Sequence, residues 1–226
     1  EIRKIDYKTN ALFYGFNSNN DVVIDNVNLT EKGSSFDILI KNELYGSFNI
    51  PLYGKHMVLD AVAAIIMCKN LGISKEIIEK SLQTFKNAKR RFAEEKVKDT
   101  TIIDDYAHHP TEIKVTLEAI KQKYPDKKLV VVFKPNTYSR TKDFTKEFIS
   151  SLSIADKVFM TEIDSNRERQ EDYPGVNSNI ILDHIKDGEI IDEKSISKLL
   201  PYKNDVICFM SCASVSHLIE ELKKII

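Results

Sequence analysis

Asp104-Asp105-Tyr106-Ala107-His108-His109-Pro110 gathers two carboxylates, a phenol and two imidazoles into seven consecutive residues. Side chains of these types move protons or hold polar ligands, and so many titratable groups seldom share one turn without a ligand to explain them. Each residue alone has a plainer reading, an Asx-type cap at Asp105 or His109 followed by exposed imidazoles. Metal binding by Asp and His is a weaker alternative, because adjacent imidazoles on a turn seldom reach one ion and no further Cys or His stands at ligand spacing.

Further groups could share this chemistry. Lys89-Arg90-Arg91-Phe92 offers guanidinium groups that clamp phosphate bidentately, or else forms a solvated linker. Lys134-Pro135-Asn136-Thr137-Tyr138-Ser139-Arg140-Thr141 carries Arg140, whose fixed fork suits a carboxylate or phosphate; its plain alternative is a pair with Asp143 or a helix cap. Ser211-Cys212-Ala213-Ser214 has side chains small enough for a ligand, or a packed helix, to approach the backbone. In Gly54-Lys55-His56-Met57-Val58-Leu59-Asp60, His56 and Asp60 lie one helical turn apart and share a face, a weak signal alone. The sequence has no Gly-rich phosphate loop ending in Lys-Ser/Thr and no Gly-x-Ser-x-Gly elbow, so nothing in it could hold a triphosphate and magnesium unaided.

The heptad must be positioned by a strand before it and a helix after it. Thr100-Thr101-Ile102-Ile103 is β-branched and apolar, whereas Pro110 is pre-set for a first helical position. In an open α/β sheet, ligands bind beyond the carboxyl ends of the strands, where helix N-termini present free N–H groups. From residue 100 onward, apolar strands at 100–104, 129–133, 157–160, 189–191 and 205–210 alternate with helices at 110–123, 141–152, 177–186 and 214–225. This pattern predicts a Rossmann-like domain with a mostly parallel sheet covered on both faces.

The earlier residues read differently. Short strands near 11–16 and 21–24 and a hairpin around Asn42-Glu43 predict a mostly antiparallel sheet edge. Two helices follow, at 55–70 and from a Ser74 cap to about Lys86, the second with Ile77, Ile78, Leu82 and Phe85 on one face. A boundary near residue 88 is expected.

Composition sets bounds. The 226 residues carry a net charge of -1, which gives no nucleic-acid footprint, and no apolar run is long enough to span a bilayer. A cytoplasmic protein is expected, and the start at Glu1 rather than Met suggests a trimmed chain. Cys68, Cys208 and Cys212 are an odd number, with buried thiols the default reading and a redox role a minor one.

Taken in order, Gly54-x-His56-x-x-x-Asp60-x-x-Ala63-Ala64, Lys89-Arg90-Arg91-Phe92, the stretch from Asp104 to Glu112, and Ser139-Arg140-Thr141 resemble the Mur ligases over nearly the whole chain. The resemblance is closest to the members that join L-alanine to UDP-N-acetylmuramate. It implies an ATP- and magnesium-dependent ligase of peptidoglycan synthesis that forms an acyl phosphate on the muramyl carboxylate. Residues 1–88 would then be the later half of the central ATPase domain and residues 89–226 the C-terminal domain. The phosphate loop, the main magnesium ligands and the UDP-sugar domain would lie upstream, leaving these residues inactive alone.

By resemblance, His56 and Asp60 face the adenine, Arg91 reaches the nucleotide and Asp105 holds the ribose hydroxyls. Arg140 receives the alanine carboxylate, and Tyr106, His108 and His109 line the amino-acid side. The chain departs from the usual family pattern at Met57 and Asp60, where Asn is common, at Asn136 in place of His, and at Ser211 to Ser214 in place of Gly-Ala-Gly-Asp. Asp60 can accept from an adenine amino group but cannot donate to a ring nitrogen. Two alternatives stand beside this reading, a murein tripeptide recycling ligase and a non-catalytic nucleotide or amino-acid binding module. Ser139-Arg140-Thr141 speaks against the first, and the absent phosphate loop supports the second.

Overall fold

A computed structural model describes residues 11–226; residues 1–10, which belong to the first expected unit, lie outside the described residues. The chain divides into two compact units between Phe85 and Lys86.

The first unit is a four-stranded sheet in the order β1 (Tyr14–Gly15), β2 (Val22–Thr30), β3 (Gly33–Ile40), β4 (Glu43–Ile50). β1 pairs parallel with β2 and the other pairs are antiparallel. Alternate residues of the strands, among them Val22, Ile24, Phe36, Ile38, Phe48 and Ile50, are buried together with Val58, Val62 and Ile65 of α1 (Lys55–Asn70). That period of two is what a sheet with one covered face requires. The hairpin between β3 and β4 turns on Lys41 and Asn42, at φ 52° and 66°, as the right-handed twist of paired strands demands. Gly33 is obligatory, since a Cβ there would sit 2.3 Å from the Ile50 carbonyl oxygen. The strand expected at 11–16 contracts to two residues. In α2 (Lys75–Gln83) only Ile78 is buried, so the expected apolar face is narrower: Ile77 is 58% exposed and Phe85, beyond the helix, 51%.

The second unit carries a six-stranded sheet. Its strands are β5 (Ala93–Val97), β6 (Thr100–Asp105), β7 (Leu129–Phe133), β8 (Lys157–Met160), β9 (Gly188–Ile190) and β10 (Val206–Met210), in the spatial order β5-β6-β10-β7-β8-β9. All pairs are parallel except β5 with β6. The helices are α3 (Pro110–Lys123), α4 (Tyr138–Asp143), α5 (Thr145–Leu152), α6 (Asn179–Leu182) and α7 (Ser216–Ile225). Two buried clusters separate by strand parity. Ile103, Val131, Phe133, Val158 and Cys208 pack with α3, α5 and α6, whereas Ile102, Val130, Val132, Ile207 and Phe209 pack with α7 and a 3-10 segment over Glu193–Tyr202. Strands buried on both faces explain the unbroken apolar runs.

The helix expected at 141–152 is instead two, broken at Phe144. The hydroxyls of Thr141 and Thr145 bond back to the carbonyls of Thr137 and Thr141, a pattern that bends helices. The helix expected at 177–186 keeps only its middle, closing in bonds three residues apart from His184 to Ile181 and from Ile185 to Leu182. Among the described residues no helix is long and apolar enough to cross a membrane.

Candidate ligand site at the carboxyl ends of the central strands

The connection from β6 through α3 to β7 skips one position in the sheet, which β10 fills. Three adjacent strands therefore end side by side, and the loops that follow them are the heptad, Ser211 to Val215 and Lys134 to Thr137. The Ser211 N–H donates to the Asp105 carbonyl at 3.1 Å and its hydroxyl to the Lys134 carbonyl at 3.0 Å, so the middle loop ties the outer two together.

Asp105 is buried, and both its oxygens are engaged: Oδ2 accepts from the Phe92 N–H at 2.7 Å, and Oδ1 accepts from the Ala107 N–H at 2.8 Å and the Thr116 hydroxyl at 3.4 Å. It thereby fixes the turn that presents Tyr106 and the two histidines. His108 Nδ1 lies 3.0 Å from the Tyr106 carbonyl, which can only accept, so Nδ1 carries the proton and Nε2 is the acceptor in the neutral ring. His109 caps α3 through Nδ1, which accepts from the Thr111 N–H at 3.3 Å; its ring meets the edge of Phe144 at 4.9 Å.

Glu112 holds both imidazole-bearing residues. One oxygen accepts from the N–H groups of His108 and His109 at 3.0 and 3.1 Å and lies 3.2 Å from His108 Nδ1. Burial pushes its carboxyl up, but the two N–H donors, with the charges of His108 and Arg91 behind them, outweigh it and leave the group below the ordinary glutamate range.

The two arginines have separate situations. Arg90, at φ 56°, pairs through Nε with Asp104 at 3.3 Å, and its Nη2 donates to the carbonyls of Ser211 at 2.5 Å and Ala213 at 2.8 Å. It is built into the floor. Arg91 is exposed, its guanidinium 5.0 Å from the centre of the Tyr106 ring, and so stands where an anion could meet it.

Arg140 is half-buried in the first turn of α4, with Nη1 donating to the Asn136 carbonyl at 2.7 Å. The loop after β8 lies alongside: Lys134 pairs with Asp164 at 3.1 Å, Asn136 bridges to Asp164, and Glu168 accepts from the Ser139 N–H at 3.0 Å and from the Ser139 hydroxyl. Arg91, Asp105, Tyr106, His108, His109 and Arg140 thus belong to the second unit, where they stand on neighbouring strand ends. His56, half-buried, and Asp60, exposed, lie in the first turns of α1 in the other unit.

Glu112 and Glu168 had no assigned ligand role in the sequence, and Arg90 stood there only as one of a pair of phosphate-clamping guanidinium groups. Glu112 was detectable, three residues after a capping residue at His109, the spacing of a capping box. Glu168 is 29 residues from Ser139 and carries no local signal. Cys208 is fully buried, its thiol pushed well up by burial and then by the charges of Asp105 and Asp104, which disfavours thiolate chemistry. The three cysteines are free thiols.

The arrangement is a cationic and imidazole-lined rim over a hydrogen-bonded floor, suited to anionic and amino-acid ligands. Residues 90–212 match the family described as Mur ligase, glutamate ligase domain. The chain is 41% identical over 224 residues, 98% of its length, to a UDP-N-acetylmuramate–L-alanine ligase of Ligilactobacillus salivarius.

The chain belongs to the Mur ligase family.

A UDP-N-acetylmuramate–L-alanine ligase of Lactococcus lactis is 40% identical over 215 residues, 95% of this chain. The chain spans about half the length of these curated relatives, 50% and 48% respectively. In fold it is similar to the Thermotoga maritima UDP-N-acetylmuramate–alanine ligase MurC, with TM-score 0.77 at 20% identity, over 94% of this chain and 47% of that one. It also resembles the MurF ligase of the same organism, solved with ADP, at TM-score 0.68 and 21% identity, over 94% of this chain and 48% of the other. The Mur ligase match runs from Arg90 to Cys212, two residues the structure joins directly, since Arg90 Nη1 lies 3.5 Å from the Cys212 carbonyl.

Proposed function

We propose that this chain is part of an ATP-dependent ligase that joins L-alanine to UDP-N-acetylmuramate through an acyl phosphate. The observation that carries the reading is the 41% identity across 98% of the chain to a ligase of that name. The residues up to about 88 are assigned to the later half of a central ATPase domain, and residues 89–226 to a Rossmann-like C-terminal domain. The parallel sheet covered on both faces and the division between Phe85 and Lys86 support that assignment.

In this reading the exposed Arg91 neutralises nucleotide charge, and His56 and Asp60 serve the adenine. Asp105, whose Oδ2 accepts from the Phe92 N–H, is assigned to the ribose hydroxyls. Phosphoryl transfer to a carboxylate is mostly positioning and charge neutralisation, so the work of these residues is to bind and orient. Arg140 takes the carboxylate of L-alanine, leaving the amine to approach the acyl carbon beside Tyr106, His108 and His109. With its Nδ1 proton committed to the Tyr106 carbonyl, His108 has Nε2 available to receive the proton that the attacking amine gives up as its nitrogen bonds to the acyl carbon and phosphate leaves. Magnesium would neutralise phosphate charge in the full-length ligase. Its main ligands are expected with the phosphate loop rather than among the residues named above.

Kinetics of Arg140→Ala in the full-length protein test the reading. Loss of a charge-assisted carboxylate contact is expected to cost about 2 to 4 kcal/mol in kcat/KM for L-alanine. The KM for ATP should stay within about twofold, as expected when uniform binding of one substrate alone is lost. An unchanged KM for L-alanine would remove Arg140 from the amino-acid site.

A further inference from the structure

We propose that Glu168 is a positioning residue for Arg140: reaching across from the loop after β8, it fixes Ser139 and with it the first turn of α4, from which the guanidinium extends. The inference rests on Arg140 as the carboxylate anchor.

Glu168 Oε2 accepts from the Ser139 N–H at 3.0 Å, while Oε1 accepts from the Ser139 hydroxyl. Both oxygens therefore reach the residue that precedes Arg140, and the Tyr138 N–H and the Thr137 hydroxyl also favour the charged carboxylate. The N-cap Thr137 Oγ1 stands 3.5 Å from the Arg140 N–H, at the outer edge of hydrogen bonding, while the Thr141 hydroxyl and N–H close the turn on the Thr137 carbonyl at 2.7 and 3.1 Å. An ionised carboxylate bonded to N–H and O–H donors is about twice as strong as a neutral cap. Burial raises the Glu168 carboxyl and the Ser139 hydroxyl and N–H lower it by more, so it is charged when it acts.

The loop that carries Glu168 is built to hold it still. Asp164 donates its N–H to the Pro135 carbonyl at 2.9 Å, Asn166 at φ 54° turns the chain with its N–H on Asp164 Oδ1, and the Glu168 N–H returns to the Ser165 carbonyl at 2.9 Å. Beyond it, Tyr173 stacks on Tyr138 at 5.9 Å, over a small cluster with Ile163 and Val176. The far side of Arg140 is braced by the same loop, because the Asn136 carbonyl that receives Nη1 is bridged to Asp164. The same segment, which contributes no strand to the sheet, thus braces both the residue before Arg140 and the residue whose carbonyl receives its guanidinium.

Two measurements test this. Amide hydrogen exchange on the 226-residue chain reads the brace directly: Glu168→Ala is expected to speed exchange at Ser139 by about tenfold or more, as loss of a protecting bond does. In the full-length ligase, Glu168→Ala should raise the KM for L-alanine about tenfold with the KM for ATP unchanged, and Glu168→Gln, which keeps one acceptor, should recover part of the loss. Combined with Arg140→Ala it should add nothing further, since both act through one contact. Unaltered Ser139 exchange, a parallel rise in both KM values, or additive effects would overturn the proposal while leaving the ligase reading intact. An Arg140→Ala variant with normal L-alanine KM would instead bring down the anchor assignment and this inference with it.

Discussion

A single carboxylate, Glu112, sets the two imidazoles of the heptad, and its protonation has a calculable sign. Its folded value lies below the ordinary 4.5 because the N–H groups of His108 and His109 overcome the effect of burial. A carboxyl that binds its proton less readily folded than unfolded stabilises the fold above pH 4.5, and that contribution disappears as pH falls through the lower, folded value. The side chain is 39% exposed, so screening keeps the effect to about 1 kcal/mol. Urea unfolding at pH 7 and pH 4 checks this. Glu112→Gln should be less stable than the parent at pH 7 and show a shallower loss on acidification; equal slopes would show that Glu112 does not carry the linkage. The heptad itself was legible in the sequence because its groups are contiguous. The division of labour among its residues was not, since Asp105 is engaged by Phe92 and Thr116 and Arg90 by the carbonyls of Ser211 and Ala213, contacts that chain order does not reveal.

At the scale of elements, β6, α3 and β7 could be read to within a residue or so, because β-branched runs and a Pro at the first helical position are local signals. β5 was missed for an equally physical reason. Ala93-Glu94-Glu95-Lys96-Val97 is charged as edge strands are, which makes it look like a loop. The insertion of β10 between β6 and β7 is a long-range choice that periodicity does not encode. The opposite edge, β9, has only three residues and is secured by Lys157, whose nearly buried ammonium pairs with both Asp187 and Glu189. Burial lowers the ammonium's proton affinity and the two carboxylates raise it by more, so the tie persists through neutral pH and on the alkaline side would fail above the ordinary lysine value of 10.5. Lys157→Met should cost roughly 1 to 2 kcal/mol, the range of charge-assisted bonds, with faster exchange confined to β9 and its loop. Exchange that rose across the whole sheet would contradict an edge-local role.

At the scale of the whole molecule, the chain joins a unit with a mostly antiparallel sheet to one with a mostly parallel sheet, and it spans about half the length of its curated Mur ligase relatives. Its 226 residues hold the rim of a candidate ligand site but no Gly-rich phosphate loop with Lys-Ser/Thr. Purified alone, they are expected to release no phosphate from ATP with or without L-alanine, and alanine-dependent release would refute that expectation. The central claim is tested most directly by phosphate release from the full-length protein given ATP, magnesium and UDP-N-acetylmuramate, with each amino acid supplied in turn. Release is expected to depend on the sugar nucleotide and to be fastest with L-alanine, accompanied by a product heavier by one alanine residue. Release indifferent to L-alanine, or a product formed only from a preformed tripeptide, would contradict that claim.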